Sequence, residues 1–162
     1  MTKIHRLGLV ILILISCAGC DQAAKSIARE TLSSSPPLLL LNGAIRVEYT
    51  ENPGAILSLG ANWPAEARFI FFVVLVGLIL AATLTFALKA RGLSLVQLAA
   101  LSFIAAGGIG NFLDRLFNDG QVIDYVSVGV GPLRTGVFNV ADVAIMGGVL
   151  AFLLFSAKER AH

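Results

Sequence analysis

AGGIGNFLDRLFNDGQVIDYVSVGVGPLRTGVFNVADVAI, residues 106 to 145, joins two apolar runs. It carries four of the ten acidic residues in the chain: Asp114, Asp119, Asp124 and Asp142. A short pattern occurs in it twice, as Asn111-Phe-Leu-Asp114 and as Asn139-Val-Ala-Asp142. Residues three apart share a face of a helix. Each copy therefore predicts an amide and a carboxyl side by side, the first at the end of one apolar run and the second at the start of the next. Asp142 is the sharper anomaly, because Val143 to Ala157 carries no charge at all. A carboxyl at the head of a membrane-length helix is costly and usually faces a bundle interior or a water-filled cavity. The plainer reading is a helix cap or a satisfied structural acid.

Composition extends this outward. Of the 162 residues 57% are hydrophobic and only 14% are charged, with a mean hydropathy of +0.85. A soluble domain carries about 25% charged residues. The chain reads as one polytopic membrane domain, all-α apart from a small β-rich segment. Phe69 to Leu88, Leu93 to Leu113 and Thr135 to Ala157 read as spans, the last interrupted only by Asp142. Leu7 to Cys20 is short for a span and matches the core of a cleaved signal peptide. Leu14-Ile15-Ser16-Cys17 even resembles a lipobox, at which bacterial lipoproteins are lipidated and cut. Against cleavage, the helical pattern continues through Ala23, Ala24, Ile27 and Ala28 with Asp21 turned inward, giving a first span of about residues 7–28. Cys17 and Cys20 read as embedded small hydrophobes, since no second pair or nearby His supports a metal or redox site.

Thr31 to Pro37 breaks the first helix. Ile45, Val47 and Tyr49 then alternate with Arg46, Glu48 and Thr50, after a turn signal at Asn42-Gly43. Asn52-Pro53-Gly54 is another turn. Basic residues flank alternate span ends at Lys3 and Arg6, Lys89 and Arg91, and Lys158 and Arg160. This bias predicts cytoplasmic termini, with the loops of about residues 29–66 and 114–134 outside. At about 1.5 Å per residue, Asp142 and Asp21 stand roughly 24 Å above the inner boundary and Asn111 roughly 30 Å. In a hydrocarbon core of about 30 Å, these polar groups gather near the outer face.

Two adjacent carboxyls cannot easily both ionise, so one keeps its proton. The ionised partner can take a proton from water, while the protonated one polarises a carbonyl and later helps to protonate a leaving amine. Serine chemistry lacks a Gly-x-Ser-x-Gly elbow, and the two histidines, His5 and His162, lie at the cytoplasmic ends. Metal ligands are missing on the outer side, and phosphoryl transfer lacks a P-loop. Asp142 is one partner of such a pair. Spacing leaves Asp21, Asp114, Asp119 and Asp124 open as the other.

DQAAK at 21–25, NPGAILS at 52–58, GGIGNFLDR at 107–115, QVIDYV at 121–126 and FNVADVAI at 138–145 together resemble the lipoprotein signal peptidase (signal peptidase II) family, in the family's own order. The resemblance implies a bacterial inner-membrane aspartic endopeptidase that removes the signal peptide of diacylglyceryl-modified prolipoproteins, just before the lipidated cysteine. It implies Asp124 and Asp142 as the catalytic pair. Asn52, Gly54, Asn111, Arg115 and Asn139 match its supporting polar residues, and Asp21 and Lys25 match its first motif, with Asp114 a structural or ion-pairing acid. It implies no metal or organic cofactor; membrane lipid is expected as a partner, the chain is expected to be a monomer, and no nucleic acid is expected. Ala24, Ile56, Leu57 and Tyr125 depart from the family's usual Thr, Ala, Phe and Phe. The rival readings are a small transporter relaying protons from Asp21 to Asp142, a non-enzymatic membrane assembly factor, and a lipoprotein itself.

Overall fold

Among the described residues, four helices long and apolar enough to cross a membrane carry the fold. They are α1 (Lys3–Leu32), α2 (Ala65–Lys89), α3 (Leu95–Phe117) and α4 (Val140–Arg160). The structure, a computed structural model, describes residues 2–55 and 59–160. Ile56 and Leu57, two of the departures noted above, lie outside the described residues, as do Ser58 and His162. Helix α3 is the central element and packs against each of the other three. Half of its most apolar stretch is buried, against 17% or less for the others. The apolar side chains that the other helices expose, such as Ile15, Ile79 and Leu154, suit a hydrocarbon surround.

Local chemistry sets the helix ends. Ser94 and Gln97 form a reciprocal capping box at the start of α3. Ser33 follows the last residue of α1, and the Pro36-Pro37 pair then prevents continuation. Helix α1 runs further at both ends than its uncharged stretch, and Thr2 caps its start through the His5 N–H. Asp114, expected at the head of an outer loop, lies in the last turn of α3 and is buried. Thr135 to Phe138, expected within the fourth span, is not helical: Phe138 bridges to Val126, and the Thr135 N–H donates to the Val128 carbonyl at 2.8 Å.

Between the helices lies an antiparallel sheet of four strands, β1 (Leu38–Leu40), β2 (Ile45–Asn52), β3 (Val122–Val130) and β4 (Leu133–Arg134), in that order. The alternating segment supplies β2, and its Asn42-Gly43 turn has both residues at positive φ. The sheet is wider than the first loop alone, because β3 comes from the second loop. The register sets Thr50 opposite Asp124 and Asn52 opposite Val122. This pairing brings the Asn52 turn beside Asp124.

Small residues allow the helices to approach closely. A Cβ at Gly107 would collide with the Ala141 carbonyl, and one at Gly110 would sit 2.5 Å from Asp21 Oδ2. Two glycines of the GGIG stretch thus let α3 lie against the beginning of α4 and against the carboxyl of α1. Ala24, one of the departures, packs with Ala28, Ile123 and Tyr125 where α1 meets the sheet.

Candidate active site

The site is built around the start of α4. The Asp142 N–H donates to Asn139 Oδ1 at 2.9 Å, and the Asn139 N–H donates to Asp142 Oδ2 at 3.1 Å. Asn139 and Asp142 thus cap the helix reciprocally. The cap uses only one carboxylate oxygen of Asp142. The other, Oδ1, accepts from Asn111 Nδ2 of α3 at 2.9 Å. The cap thus leaves the second oxygen of Asp142 turned towards the Asn111 amide.

Asp124 arrives from β3, only 3% exposed. Its Oδ1 accepts from Asn139 Nδ2 at 2.7 Å and its Oδ2 from Asn52 Nδ2 at 3.0 Å. Asn139 Nδ2 also reaches Asn111 Oδ1 at 3.1 Å and the Ile123 carbonyl at 3.2 Å. Three asparagines from β2, α3 and the residue before α4 thus hold the Asp124 and Asp142 carboxyls in one network. Asn52 Oδ1 accepts from the Gly54 N–H at 2.9 Å, which closes the turn, and the Gly54 carbonyl accepts from Arg115 Nη2 at 2.7 Å. The Arg115 guanidinium stands 5.0 Å from the centre of the Phe72 ring, which stacks on Trp63.

Behind this layer a second one is closed by charge. Lys25 Nζ lies 2.7 Å from Asp21 Oδ2 and 2.9 Å from Asp114 Oδ2, and it donates to Asn111 Oδ1 at 2.9 Å. Asp21 Oδ1 accepts from the Ala141 N–H at 2.9 Å, so a side chain of α1 helps to cap α4. Asp114 also accepts from Gln22 Nε2 at 2.8 Å and from the Ile123 N–H at 3.0 Å.

Of the four acids that spacing left open beside Asp142, only Asp124 shares this amide network. Asp119 is exposed in a turn at φ 50° and takes no part. Asp21 and Asp114 are engaged by Lys25, which leaves a proton relay through Asp21 without support. Gln22, Phe72 and Trp63 belong to the site's surroundings and were not singled out from the sequence. Gln22 adjoins the Asp21 motif, a usable signal, but nothing distinguishes Phe72 within an apolar span. Cys17 and Cys20 are free thiols on α1.

Burial raises the pKa of Asp124 from 3.8 to about 6; the Asn52 and Asn139 amides oppose the shift and the neighbouring Asp142 charge adds to it. Asp124 therefore binds its proton more tightly folded than unfolded. Its contribution to stability is full below pH 3.8 and is lost as pH rises through about 6. That loss is at most about 3 kcal/mol. Thermal unfolding between pH 4 and 7 is expected to show a fall in stability that Asp124→Asn removes; parallel curves for the two proteins would refute it.

The family model described as signal peptidase (SPase) II matches residues 12–158. The lipoprotein signal peptidase of Syntrophus aciditrophicus (strain SB) is 32% identical over 153 residues, covering 94% of this chain and 89% of that protein. The lipoprotein signal peptidase of Streptococcus thermophilus (strain CNRZ 1066) is 32% identical over 147 residues, 91% of each. A solved structure described as a bacterial membrane enzyme, determined by the in meso method at 2.3 Å resolution, superposes with a TM-score of 0.82 at 25% identity, over 94% of this chain and 90% of that one. A family match over nearly the whole chain, with four membrane-length helices, leaves one conclusion: this multi-pass membrane protein belongs to the signal peptidase II family of peptidases.

Proposed function

We propose that the protein is an aspartic endopeptidase that removes signal peptides from diacylglyceryl-modified prolipoproteins, cutting just before the lipidated cysteine, with Asp124 and Asp142 as its catalytic pair. The observation that carries the reading is the set of amide N–H groups from Asn52, Asn111 and Asn139 aimed at these two carboxyls. Asp124 is the partner suited to hold the shared proton, being the more buried, and Asp142 is the base. Asp142 takes a proton from water as the water oxygen attacks the scissile carbonyl. Asp124 donates its proton to the carbonyl oxygen, giving a diol; the diol collapses as the proton on Asp142 passes to the leaving amine and Asp124 takes back a proton from a diol hydroxyl. Arg115, with the Gly54 carbonyl and the Phe72 ring, shapes the rim where the substrate enters.

The chain works as one domain in the bacterial inner membrane, with termini in the cytoplasm and the sheet and site at the outer face. The basic residues of the alternate loops support that orientation. There the substrate's acyl chains can stay in the lipid while its peptide reaches the pair. One chain supplies every residue of the amide network, which favours a monomer.

The test is purified protein in lipid with a prolipoprotein prepared with and without its diacylglyceryl group. Cleavage before the lipidated cysteine, and only of the lipidated substrate, is expected. A folded wild type that leaves both substrates intact would return the chain to the transporter or assembly reading.

A further inference from the structure

We propose that Lys25 is a positioning residue for the aspartate pair: it fixes the rotation of the Asn111 amide, so that Asp142 meets an N–H and not an oxygen. This rests on the peptidase reading above. An ammonium has three protons to donate and no acceptor. Lys25, 1% exposed, is ion-paired with Asp21 Oδ2 and Asp114 Oδ2 and donates a hydrogen bond to Asn111 Oδ1. The atom of Asn111 that faces Lys25 must therefore be its oxygen. The same oxygen accepts from Asn139 Nδ2. With the carbonyl held from two sides, Nδ2 has one direction left, towards Asp142 Oδ1 at 2.9 Å. Turning the amide over would set its NH2 against an ammonium and a second amide NH2, and its carbonyl against a carboxylate.

Charge balance alone would not need this third bond. Asp21 and Asp114 already compensate the cation. The bond to Asn111 joins the buried ion cluster to the reacting carboxyl without either carboxylate of the cluster touching it. The charged groups around Asp142 are Asp124 from β3 and Arg115 from α3. Behind Asn111 stand Lys25 and Asp21 from α1, and Asp114 from α3. Once Lys25 no longer holds the carbonyl, Asn111 can turn, and Asp142 then keeps a proton in order to face an oxygen. A base that keeps its proton works only at higher pH.

Removing Lys25 alone strands two buried carboxylates, so the informative protein is the neutral variant Asp21→Asn/Lys25→Met/Asp114→Asn. Prolipoprotein cleavage would be followed against pH, with thermal unfolding in parallel. The expected result is a kcat lower by about 100-fold, a KM within about threefold, and an acidic limb of kcat/KM raised by roughly one pH unit. Wild-type kcat and pH profile in the folded neutral variant would overturn the proposal. If that variant fails to fold, Asn111→Leu, which keeps Lys25 and both its carboxylates, replaces it. The same fall in kcat and rise of the limb are expected there, and an unchanged profile would show that nothing acts through Asn111. Failure of the peptidase reading looks different: the wild type does not cleave, or Asp142→Asn does.

Discussion

Asp142→Asn is expected to lower prolipoprotein cleavage by about 10⁴-fold while leaving a folded protein, and Asp124→Asn to do the same. A positioned general acid or base contributes about 10² to 10⁴, and members of one catalytic unit are far from additive, so each loss should approach the loss of the pair. The fold should survive because the change is nearly isosteric. In Asp142→Asn the new amide keeps one oxygen for the cap and presents an NH2 where the carboxyl offered its second oxygen, at a cost of about 1 kcal/mol. That is small against the roughly 5–15 kcal/mol typical of a folded domain. Single-turnover cleavage, read as a mobility shift of the substrate, measures the rate, and unfolding curves confirm the fold. Retention of more than a tenth of the wild-type rate in either variant would remove that residue from the chemistry. Asp119→Asn is the control, because this residue is exposed and outside the network, and its rate should equal that of the wild type.

Lys25→Met is expected to be strongly destabilising. Removing one partner of a buried ion cluster costs about 3–5 kcal/mol, because the remaining charge is left buried and uncompensated. Here two carboxylates are left, Asp21 at 0% and Asp114 at 5% exposure. The damage would spread, since Asp21 also caps α4 through the Ala141 N–H and Asp114 ties α3 to the Ile123 N–H. Neutralising both acids as well, in Asp21→Asn/Lys25→Met/Asp114→Asn, is expected to recover most of the lost stability. Unfolding midpoints in one lipid or detergent would compare the three proteins. Equal midpoints for wild type and Lys25→Met would mean that the cluster carries no net stabilisation. A neutral variant as unstable as Lys25→Met would mean that the contacts, and not the stranded charges, carry it.

Asp142 was legible without any structure, because a charge at the head of a long uncharged run has few inexpensive explanations. The same holds for the gathering of Asp21, Asn111 and Asp142 at one height, which needs only the rise of a helix and the position of the basic span ends. The contacts agree: Asp21 reaches the Ala141 N–H and Asn111 reaches Asp142. The alternation of Ile45 to Thr50 announced β2 for an equally local reason. The start of α4 was not legible. Thr135 to Phe138 is as uncharged as the helix it precedes, and only pairing with β3 keeps it extended.

By itself, then, the sequence determined an apolar four-helix membrane protein with polar groups collected at one end. Backbone groups in lipid must be satisfied within each segment, so a long apolar run announces a helix although it does not fix where that helix starts. The resemblance of five motifs named Asp124 as the partner of Asp142, where spacing left four acids open. Tertiary structure alone decided how those acids divide. Asp124 joins the amide network because the β2–β3 register carries it beside Asn52. Asp21 pairs with Lys25 one turn along α1, and Asp114 reaches the same ammonium because the glycines of α3 admit α1 at close range. Apart from the one-turn pair of Asp21 and Lys25, the partners lie tens of residues apart in the chain, and no local pattern specifies which side chains meet once the helices pack.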